Sequence, residues 1–131
     1  MQTCEPKLLI ADDDRDFRES LSEIFQRRGY ETRLAADGQE AVEIATSATE
    51  LHLVMLDVHM PRMTGLQALE RIREGASQGL PCVLMSAQLD DLIVQQAEEL
   101  KISKVLAKPF SLRDVTRAVE DILRTAYGWG I

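Results

Sequence analysis

Five side chains at separated points of this sequence could together handle a phosphoryl group: Asp12, Asp13, Asp57, Ser86 and Lys108. Three carboxylates brought together repel, by roughly 4 kcal/mol for a pair ~4 Å apart at an effective dielectric near 20. Unless a cation sits among them, their pKa values rise or the loops that carry them open. Oxygen donors with no Cys or His pair nearby favour a hard ion, and magnesium suits an open rim better than an all-protein calcium cage. A lysine opposite such an ion prepares the site for an anion. A carboxylate, a divalent ion, a lysine and a hydroxyl suffice for phosphoryl transfer, which needs positioning and charge neutralisation more than covalent help. In such a set Asp57 can act as the nucleophile, giving an acyl phosphate, while Lys108 would neutralise charge and the Ser86 hydroxyl would hydrogen-bond the product.

Each of these residues alone is ambiguous. Acidic runs such as Asp12-Asp13-Asp14 are often solvated loops, and Asp14 suits the N-cap of a helix. Asp57 could be a strand end that merely faces water. Lys108-Pro109 alone reads more readily as a plain turn, and Ser86 could simply satisfy a backbone group. Their weight comes from where the surrounding elements put them.

Short apolar runs predict strands at Lys7–Ala11, Glu31–Ala36, His52–Leu56, Pro81–Met85 and Lys104–Ala107. Between them the apolar residues fall at helical spacing: Phe17, Leu21, Ile24 and Phe25, then Ala41, Ile44, Ala45 and Ala48. Leu66, Leu69 and Ile72 mark a third helix, Ile93, Ala97 and Leu100 a fourth, and Val115, Ala118, Val119 and Ile122 a fifth. Gly29 is placed to end the first helix in the left-handed region. Asp37 with Glu40, and Ser111 with Asp114, have capping-box spacing, and Gly128 and Gly130 follow the last helix. Strands alternating with helices imply a parallel sheet covered on both faces, a three-layer α/β/α sandwich. The strand order 2-1-3-4-5 is one of two common solutions, with a ligand crevice at the carboxyl ends of the first and third strands. Asp12 and Asp13 follow strand one, and Asp57, Ser86 and Lys108 end strands three, four and five. Polar groups from four strands therefore converge on one rim.

The composition sets the outer limits. A chain of 131 residues with 45% hydrophobic and 28% charged residues suits a single domain, residues 1–131, with a core at about 7–125. Residues 126–131 read as a tail or the start of a linker, and Trp129 either docks on the last helix or leads onward. A net charge of −7 argues against nucleic acid gripped by this domain. Leu53-Val54-Met55-Leu56 is far too short to cross a bilayer, so no membrane partner is expected. Met1 to Lys7 forms no secretory signal, and Cys4 and Cys82 lack metal-ligand spacing, which fits a reduced, cytoplasmic protein. His52 and His59 lack a third zinc ligand. Cys82, Met55, Met60, Met63 and Met85 read as packing residues.

Four motifs stand in order: Leu-Leu-Ile-Ala-Asp-Asp-Asp at 8–14, Leu-Asp-Val-His-Met-Pro-Arg-Met-Thr-Gly at 56–65, Met-Ser-Ala at 85–87 and Lys-Pro-Phe at 108–110. With these, from about Lys7 to the last helix, the sequence resembles the receiver domain of bacterial two-component response regulators, of the chemotaxis-regulator kind with a flavodoxin-like (βα)5 fold. The resemblance implies that Asp57 is the phosphoacceptor. It implies direct magnesium ligation by Asp13, Asp57 and the backbone carbonyl of His59, with Asp12 acting through water. Ser86 would be the switch hydroxyl, Lys108 the phosphate contact, Lys108–Pro109 a cis bond, and Gly65 the small residue opening the third helix. The implied donor is a phosphohistidine on a sensor histidine kinase or phosphotransfer protein, and the domain itself catalyses the transfer. The added charge would repack the face formed by helix four, strand five and helix five, through which a homodimer could also form. An output domain or target protein is implied but not identified.

The sequence departs from the family pattern at four places. Val105 stands where many receivers carry an aromatic residue, and Ser86 replaces the commoner Thr. His59 and Gln88 occupy positions that tune the lifetime of the phosphoryl group, and the His59 imidazole could order or obstruct an attacking water. Two other functions compete. A haloacid-dehalogenase-like phosphatase also uses Asp and magnesium, but carries Asp-x-Asp where position 59 here is His. A receiver that works without phosphorylation usually lacks an acidic-pocket residue, and none is missing here.

Overall fold

The central apolar runs form strands because their β-branched and aliphatic residues can be buried from both sides, whereas the edge runs at Glu31–Ala35 and Lys104–Ala107 are only partly covered. The computed structural model describes residues 5–47, 50–75 and 79–129. Its strands are β1 (Lys7–Ala11), β2 (Glu31–Ala35), β3 (Leu53–Asp57), β4 (Cys82–Ser86) and β5 (Lys104–Ala107). They form one parallel sheet in the order β2-β1-β3-β4-β5. The third and fourth strands start and end one residue later than the apolar pattern alone predicts. Asp57 pairs with Met85 and Ser86 with Ala107 in the ladder, since backbone pairing does not depend on side-chain polarity. Both polar residues are thereby held as the last rungs of strands, and β2 ends at Ala35, one residue before the expected limit.

The helices are α1 (Arg15–Gln26), α2 (Gly38–Thr46), α3 (Gly65–Glu74), α4 (Asp91–Glu99) and α5 (Leu112–Tyr127). Strand residues alternate between two cores. Leu9, Ala11, Val54, Leu56 and Leu84 pack with Ala41, Leu69, Ile72 and Ile93, so α2, α3 and α4 cover that face. Leu8, Ile10, Leu53, Met55, Val83 and Met85 pack with Leu21, Phe25, Val115, Val119 and Leu123, so α1 and α5 cover the other. The three layers are those expected from the alternation of elements. Cys82, Met55, Met60 and Met85 are buried packing residues and Met63 is partly so, whereas Ala48, Gly130 and Cys4 lie outside the described residues.

Local chemistry sets the helix ends. Asp14 accepts from the Phe17 amide at 3.2 Å, and Ser111 accepts from Asp114 at 3.0 Å. Asp37 accepts from the Glu40 amide, but the Glu40 carboxylate returns to the Ala36 amide, one residue before the cap. Thr64 and Gln67 form a full capping box that the sequence reading does not single out. Gly29 takes φ 88° after α1, and Gly128 takes φ 69° after α5. Trp129 stacks on Tyr127 at 4.7 Å and meets the His52 ring edge-on at 4.7 Å, so it docks beside the start of β3 as well as on the last helix. Among the described residues, no helix is long and apolar enough to cross a membrane.

Candidate functional site

The carboxyl ends of the strands gather the polar residues. Asp12 follows β1, its amide donating to the Ala35 carbonyl, and its side chain is fully buried. Asp13 is exposed, whereas Asp57 and Ser86 are buried. Lys108 follows β5, and its amide continues the ladder by donating to the Ser86 carbonyl at 2.8 Å. One carboxylate oxygen from each of Asp12, Asp13 and Asp57 lies within 4.8 Å of the others. Acids that follow β1 and end β3, 44 or more positions apart, thus share one pocket.

The lysine divides its charge unequally. Its Nζ lies 2.6 Å from Asp12 Oδ2 and 3.6 Å from Asp57 Oδ2. Asp12 Oδ1 accepts from the Asp14 amide at 2.9 Å, and Arg18 donates to the Asp12 carbonyl at 2.7 Å. Asp57 Oδ1 has a longer contact, 3.4 Å, from the His59 amide. Burial pushes the Asp57 carboxyl above its usual pKa and neighbouring Asp12 adds to the rise; Lys108 and the His59 amide oppose it, and Asp13 adds a little more. Three carboxylates facing one ammonium leave a deficit of positive charge. An oxygen-only donor set with that deficit fits a hard divalent cation.

The Ser86 hydroxyl closes on its own loop, donating to the Gln88 carbonyl at 2.9 Å and accepting from the Gln88 amide at 3.1 Å. His59 and Gln88 are exposed. Val105 is partly buried against the core beside α4, and the Lys108–Pro109 bond is cis. Gly65 opens α3 with its amide donating to the Val58 carbonyl at 3.0 Å.

Two features escaped the sequence reading. The Phe17 ring lies under the Lys108 ammonium, 4.1 Å from Nζ to the centroid. Arg62, at φ 67°, reaches across from the β3–α3 loop to Asp37 at 2.8 Å. Phe17 stands five residues after Asp12, but in sequence a ring supporting a lysine looks the same as one filling a core. Opposite charges 25 positions apart carry no pairing signal of their own.

The family model for the response regulator receiver domain matches residues 8–120. Sporulation initiation phosphotransferase F of Bacillus subtilis is 33% identical over 117 residues, covering 89% of this chain and 93% of that protein. Transcriptional regulatory protein PdtaR of Mycobacterium tuberculosis is 38% identical over 118 residues, covering 87% of this chain and 55% of that protein. The match to the first covers most of both proteins, whereas the chain spans about half the length of several other curated relatives. A chain in the crystal structure of the CheX–CheY–BeF3–Mg2+ complex from Borrelia burgdorferi superposes with a TM-score of 0.82 at 27% identity, covering 90% of this chain and 89% of that one.

Proposed function

This chain belongs to the response regulator receiver domain family, and on that premise we propose that Asp57 accepts a phosphoryl group and that its phosphorylation switches a partner-binding surface. The observation that carries this is the pocket itself: three carboxylates within 4.8 Å of one another, with one lysine against two of them. The single domain has its core at about 7–125, and α5 carries it on to Tyr127, with Trp129 packed behind that residue.

Asp13, Asp57 and the His59 carbonyl would hold magnesium, with Asp12 acting through water. When bound, the ion supplies positive charge at phosphoryl oxygens. The donor is a phosphohistidine on a sensor histidine kinase or phosphotransfer protein. An Asp57 carboxylate oxygen forms the new bond to phosphorus, the phosphorus–nitrogen bond breaks, and the imidazole leaves with the electron pair. The domain catalyses this step by placing its own groups, and it has no separate substrate to turn over. Lys108 shifts from Asp12 toward a phosphoryl oxygen and neutralises part of its charge. Ser86 gives up its bond to the Gln88 carbonyl and donates to another oxygen.

That rearrangement pulls on the loop between β4 and α4. Added charge of about −1.5 to −2 is read out as repacking of the α4–β5–α5 face. Exposed Leu89, Leu92 and Val94 at and near α4 support a partner surface there, for a target protein, an output domain or a second copy. With Val105 in the third place before Lys108, no aromatic ring is available to swing. The coupling therefore runs through Ser86 and Gln88. A cytoplasmic location goes with a kinase partner of this class.

Incubation with acetyl phosphate and magnesium, followed by intact-mass measurement, tests the assignment. One stable phosphoryl group, lost in Asp57→Asn, is expected. Steady turnover of the donor would instead indicate a phosphatase, and no reaction a domain that binds without phosphorylation. In the same assay, comparing phosphoryl half-lives of wild type and His59→Ala tests whether the imidazole governs water attack; an unchanged half-life rules that out.

A further inference from the structure

We propose that Phe17 is a positioning residue for phosphoryl transfer, the face of its ring holding the Lys108 ammonium at the mouth of the acidic pocket. This rests on Asp57 being the acceptor.

The Lys108 ammonium faces unequal competitors. Asp12, buried and 2.6 Å away, attracts it more than Asp57 at 3.6 Å. With those two contacts alone, the flexible four-carbon stem would let the ammonium settle on Asp12, away from the arriving group. The Phe17 ring supplies a third contact at 4.1 Å. Attraction to a ring face is electrostatic and broad in direction, and the ring offers no competing charge. Nζ can therefore slide from Asp12 toward a phosphoryl oxygen while it stays over the ring. Leucine would fill similar space without that face.

The ring is itself held in place. Phe110 meets it edge-on, with centroids 5.7 Å apart and planes at 76°. Phe110 lies two residues beyond Lys108, so one short loop carries the lysine and braces its support. On the helix side, Asp12 accepts from the Asp14 amide and Asp14 accepts from the Phe17 amide. Asp12 and the Phe17 backbone, which carry two of the groups that touch the ammonium, are thus tied together through Asp14. Phe17 and Phe110 also line a surface cleft with Ile24 and Leu112, beside the pocket.

The test uses wild type, Phe17→Leu and Phe17→Tyr, each checked by thermal melting. Two quantities are read: the second-order rate of phosphoryl gain from acetyl phosphate with magnesium, and the NMR shift of the Lys108 ε-methylene without phosphodonor. A ring face over the lysine displaces that methylene upfield. Phe17→Leu is expected to slow transfer by about three- to tenfold and to lose the displacement, while Phe17→Tyr keeps the shift and a rate within about twofold of wild type. Should Phe17→Leu fail to fold, Phe17→Met takes its place. Equal rates in wild type and Phe17→Leu overturn the proposal, as does equal slowing by Leu and Tyr or an undisplaced methylene in wild type. A wild type that gains no mass instead sinks the acceptor assignment, and this proposal with it.

Discussion

Gly65 stands so close to Asp57 that a Cβ on it would lie 2.3 Å from the Asp57 carbonyl oxygen and 2.9 Å from the carbonyl carbon. Both contacts are with backbone, which cannot rotate away. Gly65→Ala must therefore push α3 from the sheet or displace the end of β3. A loss of about 1–3 kcal/mol is expected, the range for overpacking. The displaced backbone belongs to the proposed acceptor, so phosphoryl gain should slow even at temperatures where the variant is folded. Urea denaturation and intact mass measure the two effects, and wild-type stability in Gly65→Ala would refute the clash.

The pocket should bind magnesium as a stabilising ligand. A cation that binds only the native state at 100 times its Kd adds about 2.7 kcal/mol. Without the ion, Asp57→Asn removes part of the repulsion among the three carboxylates and should raise stability. With the ion, the order should reverse, because wild type gains more than the variant. Denaturation of both proteins with EDTA and with magnesium checks this; a variant that responds to magnesium as wild type does would exclude Asp57 as a ligand.

Ser86→Ala should separate phosphorylation from switching. The buried hydroxyl has two bonds to Gln88 backbone. Its removal should cost roughly 0.5–1.5 kcal/mol for each intramolecular hydrogen bond lost. Asp57 should still gain a phosphoryl group, but amide shifts in α4, β5 and α5 on phosphorylation should shrink. Shifts as large as those of wild type would rule out the hydroxyl as the coupling element.

His52 sets an acid limit at the opposite end of the sheet. Its Nδ1 accepts from the Lys7 amide at 3.0 Å, which requires that nitrogen to be unprotonated. Burial pushes the His52 pKa below its ordinary 6.5, Glu50 opposes this, and Lys7 adds to it. The unfolded chain therefore takes up the proton at higher pH than the folded one. Stability contributed by neutral His52 should fall as pH drops below the ordinary value, and the loss should stop growing once the folded value is passed. His52→Gln should flatten that part of the curve relative to wild type. Trp129, the sole tryptophan, packs on the His52 ring and offers a fluorescence readout of the same event. Parallel curves for the two proteins would exclude His52 as the titrating group.

Much of the fold was legible because apolar periodicity reports directly which way a residue faces. The runs that became β1, β3 and β4 carry buried aliphatic residues toward both helical layers, and each stops at a polar residue. A parallel sheet puts those stops on one edge, so Asp12, Asp57, Ser86 and Lys108 could be placed together before any distance was known. The limits of β3 and β4 were off by one residue because ladder pairing carries Asp57 and Ser86 past the end of the apolar pattern.

Sequence alone determined the elements, their layering and the gathering of acids with a lysine at one rim, since these depend on residue type and order. Only the tertiary structure decided that Lys108 leans on Asp12, that Ser86 is turned to Gln88, that Phe17 lies beneath the ammonium, and that Gly65 abuts the Asp57 carbonyl. These relationships turn on differences of an ångström or less between groups far apart in the chain. They are set by the simultaneous packing of both layers against the sheet, and no local pattern records that.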